Sequence, residues 1–275
     1  MLIKVKYLEY LVEMVLGKST LFRCLLNILD KDDGVVSLNG NEIDFNTLDN
    51  IGYLIEEGSL TGEYTVYDQF QNFGIIKNMT GDEIEEALIF WLKKFNISEY
   101  INYKIKKLSK GNKQKLQFIV AVMHDPDLLI LDEPFSGLDP ISVQELKSVI
   151  LELKNQGKII IFSSHRLDQT EHLCDDIVLI HNNEILLKGR VNDIKANIDK
   201  KKIIVIGNID ISKVKDENIY SILNNKEGIY EIYVNGNDNA SIIAEMVKKQ
   251  NIDHLSIEDL SLEDIFKLKA GEIYE

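Results

Sequence analysis

Short apolar runs alternate along this chain with stretches whose apolar residues recur at helical spacing. Leu128-Leu-Ile-Leu131 is continuous and ends in acids, the mark of a central parallel strand. Lys158-Ile-Ile-Ile-Phe162 reads the same way, and Ile51-Gly-Tyr-Leu-Ile55 predicts a shorter buried strand. Helical periodicity covers residues 19–29, 67–76, 81–95, 112–124, 141–155 and 167–174. Asp32-Asp33-Gly34 turns into Val35–Leu38, and Asn39-Gly40-Asn41 signals a hairpin. Two more strands are expected at 177–180 and 184–187. This alternation predicts an α/β fold, a mainly parallel sheet with helices on its faces. Residues 192–202 are polar and lysine-rich and read as a domain boundary. Apolar segments at 203–206, 229–234, 240–249 and 260–268 then predict a small C-terminal α+β domain. The expected division is residues 1–195 and 200–275.

Composition narrows the class. The 275 residues are 45% hydrophobic and 28% charged, which suits a globular chain and excludes a disordered one. Acids outnumber bases 45 to 31, for a net charge of −14. Such a surface repels phosphate backbones, so no nucleic-acid partner is expected. No apolar run approaches the length of a membrane span, and charges interrupt the apolar residues of the first segment. Cys24 and Cys174 sit in apolar helical patterns and read as core thiols of a reducing compartment.

The candidate chemistry lies at the ends of the apolar runs. Gly17-Lys18-Ser19-Thr20 opens a helix whose free N–H groups and dipole suit phosphate. Lys18 would reach the β/γ-phosphates, and Ser19 would coordinate magnesium. Asp132 and Glu133 end a buried strand, where α/β folds place their ligands. Asp132 would hold the magnesium shell and Glu133 would polarise an attacking water. The bland alternative, a strand end before an exposed turn, fits Glu133 but leaves an aspartate beside an apolar strand unexplained. Ser109 and the N–H of Gly111 are natural anion ligands, or an ordinary helix cap with a flexible glycine. Asp139 before Pro140 could act as a cap alone. His165, after Ser163-Ser164, is structural or within reach of a γ-phosphate. Asp259, Glu263 and Asp264 read as a solvated helix end, and the C-terminal domain as a packing or dimer-contact module.

The order of these signals is more specific than any one of them. Gly-Lys-Ser-Thr, Leu-Ser-x-Gly-x-x-Gln, Asp-Glu-Pro, Ser-Gly-Leu-Asp and Ser-His together resemble the nucleotide-binding subunit of ATP-binding cassette (ABC) transporters across residues 17–190. The resemblance implies a P-loop core with a helical subdomain at about residues 66–118. It implies two cassettes, alike or different, closing head to tail on ATP and magnesium. Gly17, Lys18, Ser19 and Thr20 would face one side of the nucleotide, Ser109 and Gly111 the other. Glu133 would activate water, His165 would contact the γ-phosphate, and Asp139 would link the two sites. Glu56 stands where the family usually has glutamine, a metal-facing position sensitive to the membrane partner. The family works with an integral-membrane permease, so a location on the inner face of the cell membrane is implied. Ile51-Gly-Tyr-Leu-Ile-Glu-Glu, Leu108-Ser-Lys-Gly-Asn and Ser261-Leu-Glu-Asp-Ile-Phe266 further resemble sodium-efflux-type exporters, which carry a small C-terminal domain.

One segment departs from that pattern. The family loop reads Gly-x-x-Gly-x-Gly-Lys-Ser-Thr, whereas Val12-Glu13-Met14-Val15-Leu16 precedes Gly17 here. Glycines allow the positive-φ turns that aim successive N–H groups at phosphate, and β-branched valines resist them. The first family strand and the adenine-stacking aromatic are also expected to lack room before the loop. Reading the implied codons one nucleotide earlier forces Asn or Asp at position 14 and Gly at position 15. It permits Val-Asn-Lys-Gly-Glu-Ile-Phe-Gly-Ile-Leu-Gly-Gly-Asn-Gly-Ala before Gly17. Residues 1–16 therefore read as an out-of-frame translation of an intact loop. The literal chain is then an impaired pseudo-ATPase or frameshifted product, and the alternative is a naturally degenerate loop. A soluble cassette acting on ribosomes or DNA fits less well, with one cassette, no long heptads and strong acidity.

Overall fold

The computed structural model describes residues 11–13, 18–38, 40–43, 47–56, 60–167, 171–181, 184–225, 228–248 and 250–271, with backbone alone for 11–13, 18, 19, 224, 225, 237 and 251. Two compact units divide the chain. The first holds residues up to Arg166 together with His172–Ile185, and the second holds Leu167–Glu171 and everything from Leu186.

The first unit runs β1 (Leu11–Glu13), α1 (Lys18–Leu25), a hairpin of β2 (Ser37–Leu38) and β3 (Asn41–Glu42), and β4 (Ile51–Leu54). It continues through α2 (Val66–Ile76), α3 (Gly81–Lys94), α4 (Lys110–Val122), β5 (Leu128–Asp132), α5 (Pro140–Asn155), β6 (Ile159–Ser163) and β7 (Asp176–His181). β8 (Glu184–Arg190) carries the chain on into the second unit. The sheet order is β4-β5-β6-β1-β7-β8, with the first five parallel. Every residue of β5 and β6 is buried, which accounts for their unbroken apolar sequence. One face of the sheet packs Leu128, Ile130, Ile159 and Ile161 against Phe22 of α1 and Leu26 just past it. Each such fully buried aliphatic contributes roughly 1.5–3 kcal/mol.

β1 is three residues long and lies between β6 and β7, with Val12 level with Ser163 and Val178. It extends through Glu13, over positions where the family's glycine loop begins. The loop residues 14–17, Gly17 included, lie outside the described residues, as does 168–170 of the helix expected at 167–174.

α2 and α3 each start with a capping box, Thr65 with Asp68 and Thr80 with Glu83. Trp91, Phe95 and Phe118 stack edge-on and face-on between α3 and α4. α4 lies flush on β4: a Cβ on Gly52 would sit 2.0 Å from the Ala121 carbonyl oxygen.

A polar cluster ties this helical region to the foot of β4. Lys77, capping α2, donates to the carbonyls of Leu48 and Ile51 at 2.8 and 3.1 Å. His124, just past α4, places Nε2 3.3 Å from the Ile51 oxygen, and its Nδ1 has no partner among the described residues. Burial, then the Lys77 charge, pushes the His124 pKa down to about 4. The unfolded chain, titrating near 6.5, therefore binds the proton the fold excludes. Stability is full above pH 6.5 and falls as pH drops toward 4, by roughly 3 kcal/mol in all. Urea midpoints from pH 7 to 4 check this: His124→Gln should flatten the slope relative to the parent.

The second unit contains α6 (Val191–Ala196), β9 (Lys200–Asn208), β10 (Ile219–Asn225), β11 (Ile229–Asn235), α7 (Asn237–Lys248), β12 (Asn251–Asp259) and α8 (Leu262–Ala270). Its sheet is antiparallel, in the order β10-β11-β9-β12. Ala240, Ile243, Ala244 and Val247 of α7 pack on Ile203, Val205, Ile232 and Val234. The polar stretch read as a boundary is α6 and the start of β9. The compact units pass from one to the other within β8, between Ile185 and Leu186.

The supposedly solvated acids also need correction. Asp259 is exposed and pairs with Lys201, but Asp264 is buried. It accepts from the Tyr233 hydroxyl and the Lys202 ammonium, both at 2.9 Å, and closes a capping box with Ser261. Burial alone would raise its pKa, but the Ser261 and Lys202 hydrogen bonds outweigh burial and hold the carboxyl below its usual range. Of the two thiols, Cys174 is buried and Cys24 only half-buried, and neither forms a disulfide among the described residues.

Candidate active site

Parallel strands end together, so residues just past them gather at one edge. Asp132 closes β5 and Ser163 closes β6, directly paired in register. The Ser163 hydroxyl donates to Asp132 Oδ1 at 2.6 Å and accepts from the Glu133 N–H at 3.0 Å. Both partners are fully buried, so the Asp132 carboxylate is held in one orientation at the base of the edge. Glu133 turns the chain with φ +48°, a left-handed conformation costing of order 1–3 kcal/mol in a non-glycine residue. Its side chain is only 4% exposed, and Oε2 lies 2.9 Å from His165 Nδ1. The imidazole is 64% exposed, so it joins a buried carboxylate to the open side of the edge.

Gln114 of α4 fixes the backbone of this turn. Its buried amide donates to the Glu133 and Pro134 carbonyls at 3.3 and 3.1 Å. The same helix opens with Ser109, whose hydroxyl accepts from the Asn112 N–H at 3.2 Å. Lys110 lies against Gly137, where φ is +72° and a Cβ would meet the lysine stem at 2.5 Å. Gly111 faces Leu138 with room for a methyl group, so its lack of a side chain is not demanded by packing within the chain. Asp139 caps α5, accepting from Ser142 Oγ at 2.7 Å and from the N–H groups of Ile141 and Ser142. The Ser142 hydroxyl above all, then those N–H groups, holds the Asp139 carboxyl below the usual range.

The sequence-derived residues thus fall into two groups. Asp132, Glu133 and His165 converge at the β5–β6 edge. Ser109, Gly111 and Asp139 gather where α4 meets the 137–139 turn. Glu56, just beyond β4, is exposed and lines a cavity of about 440 Å³ with Lys110, Lys113, Gln114 and Ser136. α1 begins at Lys18, and Thr20 in its first turn is exposed. Ser163 and Gln114, which orient Asp132 and Glu133, were not singled out from sequence. Both sit inside quoted motifs, but only strand register reveals what they touch.

Comparison with known proteins bears on this arrangement. Residues 16–136 match the ABC transporter family, and residues 189–270 match the C-terminal domain of DrrA1-3-like ATP-binding proteins. The uncharacterized ABC transporter ATP-binding protein YhaQ of Bacillus subtilis (strain 168) is 38% identical over 260 residues, covering 94% of this chain and 87% of its own. ABC transporter ATP-binding protein NatA of the same strain is 32% identical over 188 residues, 65% of this chain and 74% of its own. A solved ATP-binding subunit of an ABC transporter superposes with a TM-score of 0.62 at 29% identity, over 68% of this chain and 81% of the other.

Proposed function

The chain belongs to the ATP-binding subunits of ABC transporters, and from that premise we propose that it drives an exporter permease through ATP-dependent closure of two cassettes. Members of this family bind and hydrolyse ATP and work with membrane permeases. The observation that supports the catalytic reading is the joint placement of Asp132, Glu133, Ser163 and His165 at one strand edge.

In this reading Gly17, Lys18, Ser19 and Thr20 hold the phosphates at the head of α1. Glu133 accepts a proton from the attacking water, and His165 both orients that carboxylate and contacts the γ-phosphate. Ser109 and Gly111 serve the nucleotide bound by the opposite cassette, and Asp139 couples the two sites. The oxygens of Asp132, Glu56 and Ser19 are hard donors of the type magnesium takes. Among the described residues no cluster of three or more His, Cys, Asp or Glu could hold a metal ion alone. That suits an ion which uses one or two carboxylates and completes its shell with phosphates and water. Magnesium, when bound, offsets phosphate charge during water attack.

The exporter assignment is supported by the DrrA1-3-like C-terminal match and by the similarity to NatA. Among the described residues no helix is long and apolar enough to cross a membrane, so attachment to the inner face of the cell membrane would go through the permease. A second reading, a pseudo-ATPase that still docks on the permease, is favoured by Val12–Leu16 and by a family match that starts only at residue 16.

Co-expression with candidate membrane subunits tests the assignment. The tagged chain is expected to co-purify in detergent with a polytopic membrane protein and to hydrolyse ATP in that complex. Co-purification with ribosomes or DNA instead would overturn the transporter reading, and a docked complex without turnover would select the pseudo-ATPase.

A further inference from the structure

Tyr53 is a polar group the catalytic account does not use. It sits on β4 level with Ile130 of β5, and its ring packs in the apolar layer under α1 with Phe22, Leu26 and Ile130. Asp132 lies two residues beyond Ile130, hence on the same face of the sheet. The phenol therefore shares a sheet face with the Asp132 carboxylate, near enough to feel its charge. Its hydroxyl oxygen is buried and has no hydrogen-bond partner among the described residues. It feels the Asp132 carboxylate and, oppositely, the Arg23 guanidinium of α1. Phenylalanine would fill the same apolar space without burying an unsatisfied hydroxyl. A buried polar atom without a partner costs stability and calls for an explanation at a functional site.

We propose that the Tyr53 hydroxyl is a positioning group for the metal–nucleotide complex, donating a hydrogen bond to an oxygen in the space between Asp132 and the head of α1. Burial first, then the negative charge of Asp132, raises its pKa, so the hydroxyl stays a donor through the neutral range. The acceptor is an oxygen of the nucleotide phosphates or a water of the metal shell. This inference rests on the ATP-binding reading and adds a residue to it.

The test is Tyr53→Phe, made both in the chain as written and in a chain whose residues 2–16 carry the alternative-frame loop. Without ligand, the variant's thermal midpoint should equal or exceed the parent's, because an unsatisfied hydroxyl has been removed. Its affinity for Mn²⁺–ADP, followed by electron paramagnetic resonance, should fall about fivefold to tenfold, the scale of one lost hydrogen bond. Loss with Mn²⁺–ADP alone identifies the metal's water as acceptor, and equal loss with metal-free ADP identifies a phosphate oxygen. Unchanged affinity, or a lower ligand-free midpoint, overturns the inference and leaves the ATP reading intact. If neither parent chain binds ADP with or without metal, the ATP reading fails and this inference goes with it.

Discussion

The chain as written should bind magnesium–ATP at least about a hundredfold more weakly than the same chain with its residues 2–16 replaced by the alternative-frame sequence. Phosphate binding by a glycine loop depends on several backbone N–H groups pointing inward at once, each hydrogen bond to a charged group contributing about 1.5–3 kcal/mol. The written residues Val12, Glu13, Met14, Val15 and Leu16 remove every glycine before Gly17. The backbone at Val12 and Glu13 is extended and hydrogen-bonded into the sheet beside Ser163 and Leu179. Those residues are thus committed to a strand where the family starts its loop. A glutamate near the phosphates adds repulsion on the order of 1–4 kcal/mol in a wet site. Loss of two N–H contacts alone corresponds to a hundredfold or more in affinity. Nucleotide titration of both proteins measures the difference, and micromolar binding by the chain as written would refute it. Resequencing the locus settles the origin of the segment: stops or non-glycine codons in the alternative frame would remove the frameshift.

How much was readable from sequence depended on which faces each segment buries. β5 and β6 are covered on both sides, so their sequences are unbroken apolar runs and were legible. β12 was missed because it is exposed along much of its length. Its apolar residues Ile252, Leu255 and Ile257 do not alternate strictly, because the register shifts between Ile252 and His254, and charged residues surround them. Lys200–Lys202 looked like a linker, yet Lys201 and Lys202 pair with Asp259 and Asp264, acids some sixty positions away. Asp264 looked solvated because nothing local to it announces Tyr233 as a partner. The site shows the same limit. The motifs named Asp132, Glu133 and His165, but the pairing of Asp132 with Ser163 comes from strand register. That register brings His165 to Glu133. Tyr53 passed as a core residue because its ring is one, and only its oxygen lacks a partner.

In the loop-restored chain, Glu133→Gln should lower ATP turnover by roughly 10²–10⁴-fold, the range for a lost general base, while leaving nucleotide affinity nearly unchanged. The substitution keeps the shape of the side chain and all the backbone contacts that shape the turn. Gln114 holds the carbonyls of residues 133 and 134, and Ser163 holds the amide of residue 133, whichever side chain is present. The amide oxygen can still accept from His165 Nδ1, so the imidazole keeps its place. What disappears is the negative charge, and with it the ability to take a proton from water. Glu133 is 4% exposed, so removing that charge should not lower stability, and the thermal midpoint should equal or exceed the parent's. His165→Ala removes the orienting group but leaves the base, so its loss should be the smaller of the two. Turnover by Glu133→Gln within tenfold of the restored parent, at unchanged nucleotide affinity, would sink the general-base role and shift attention to Asp132 and the substrate's own phosphates as the proton's destination.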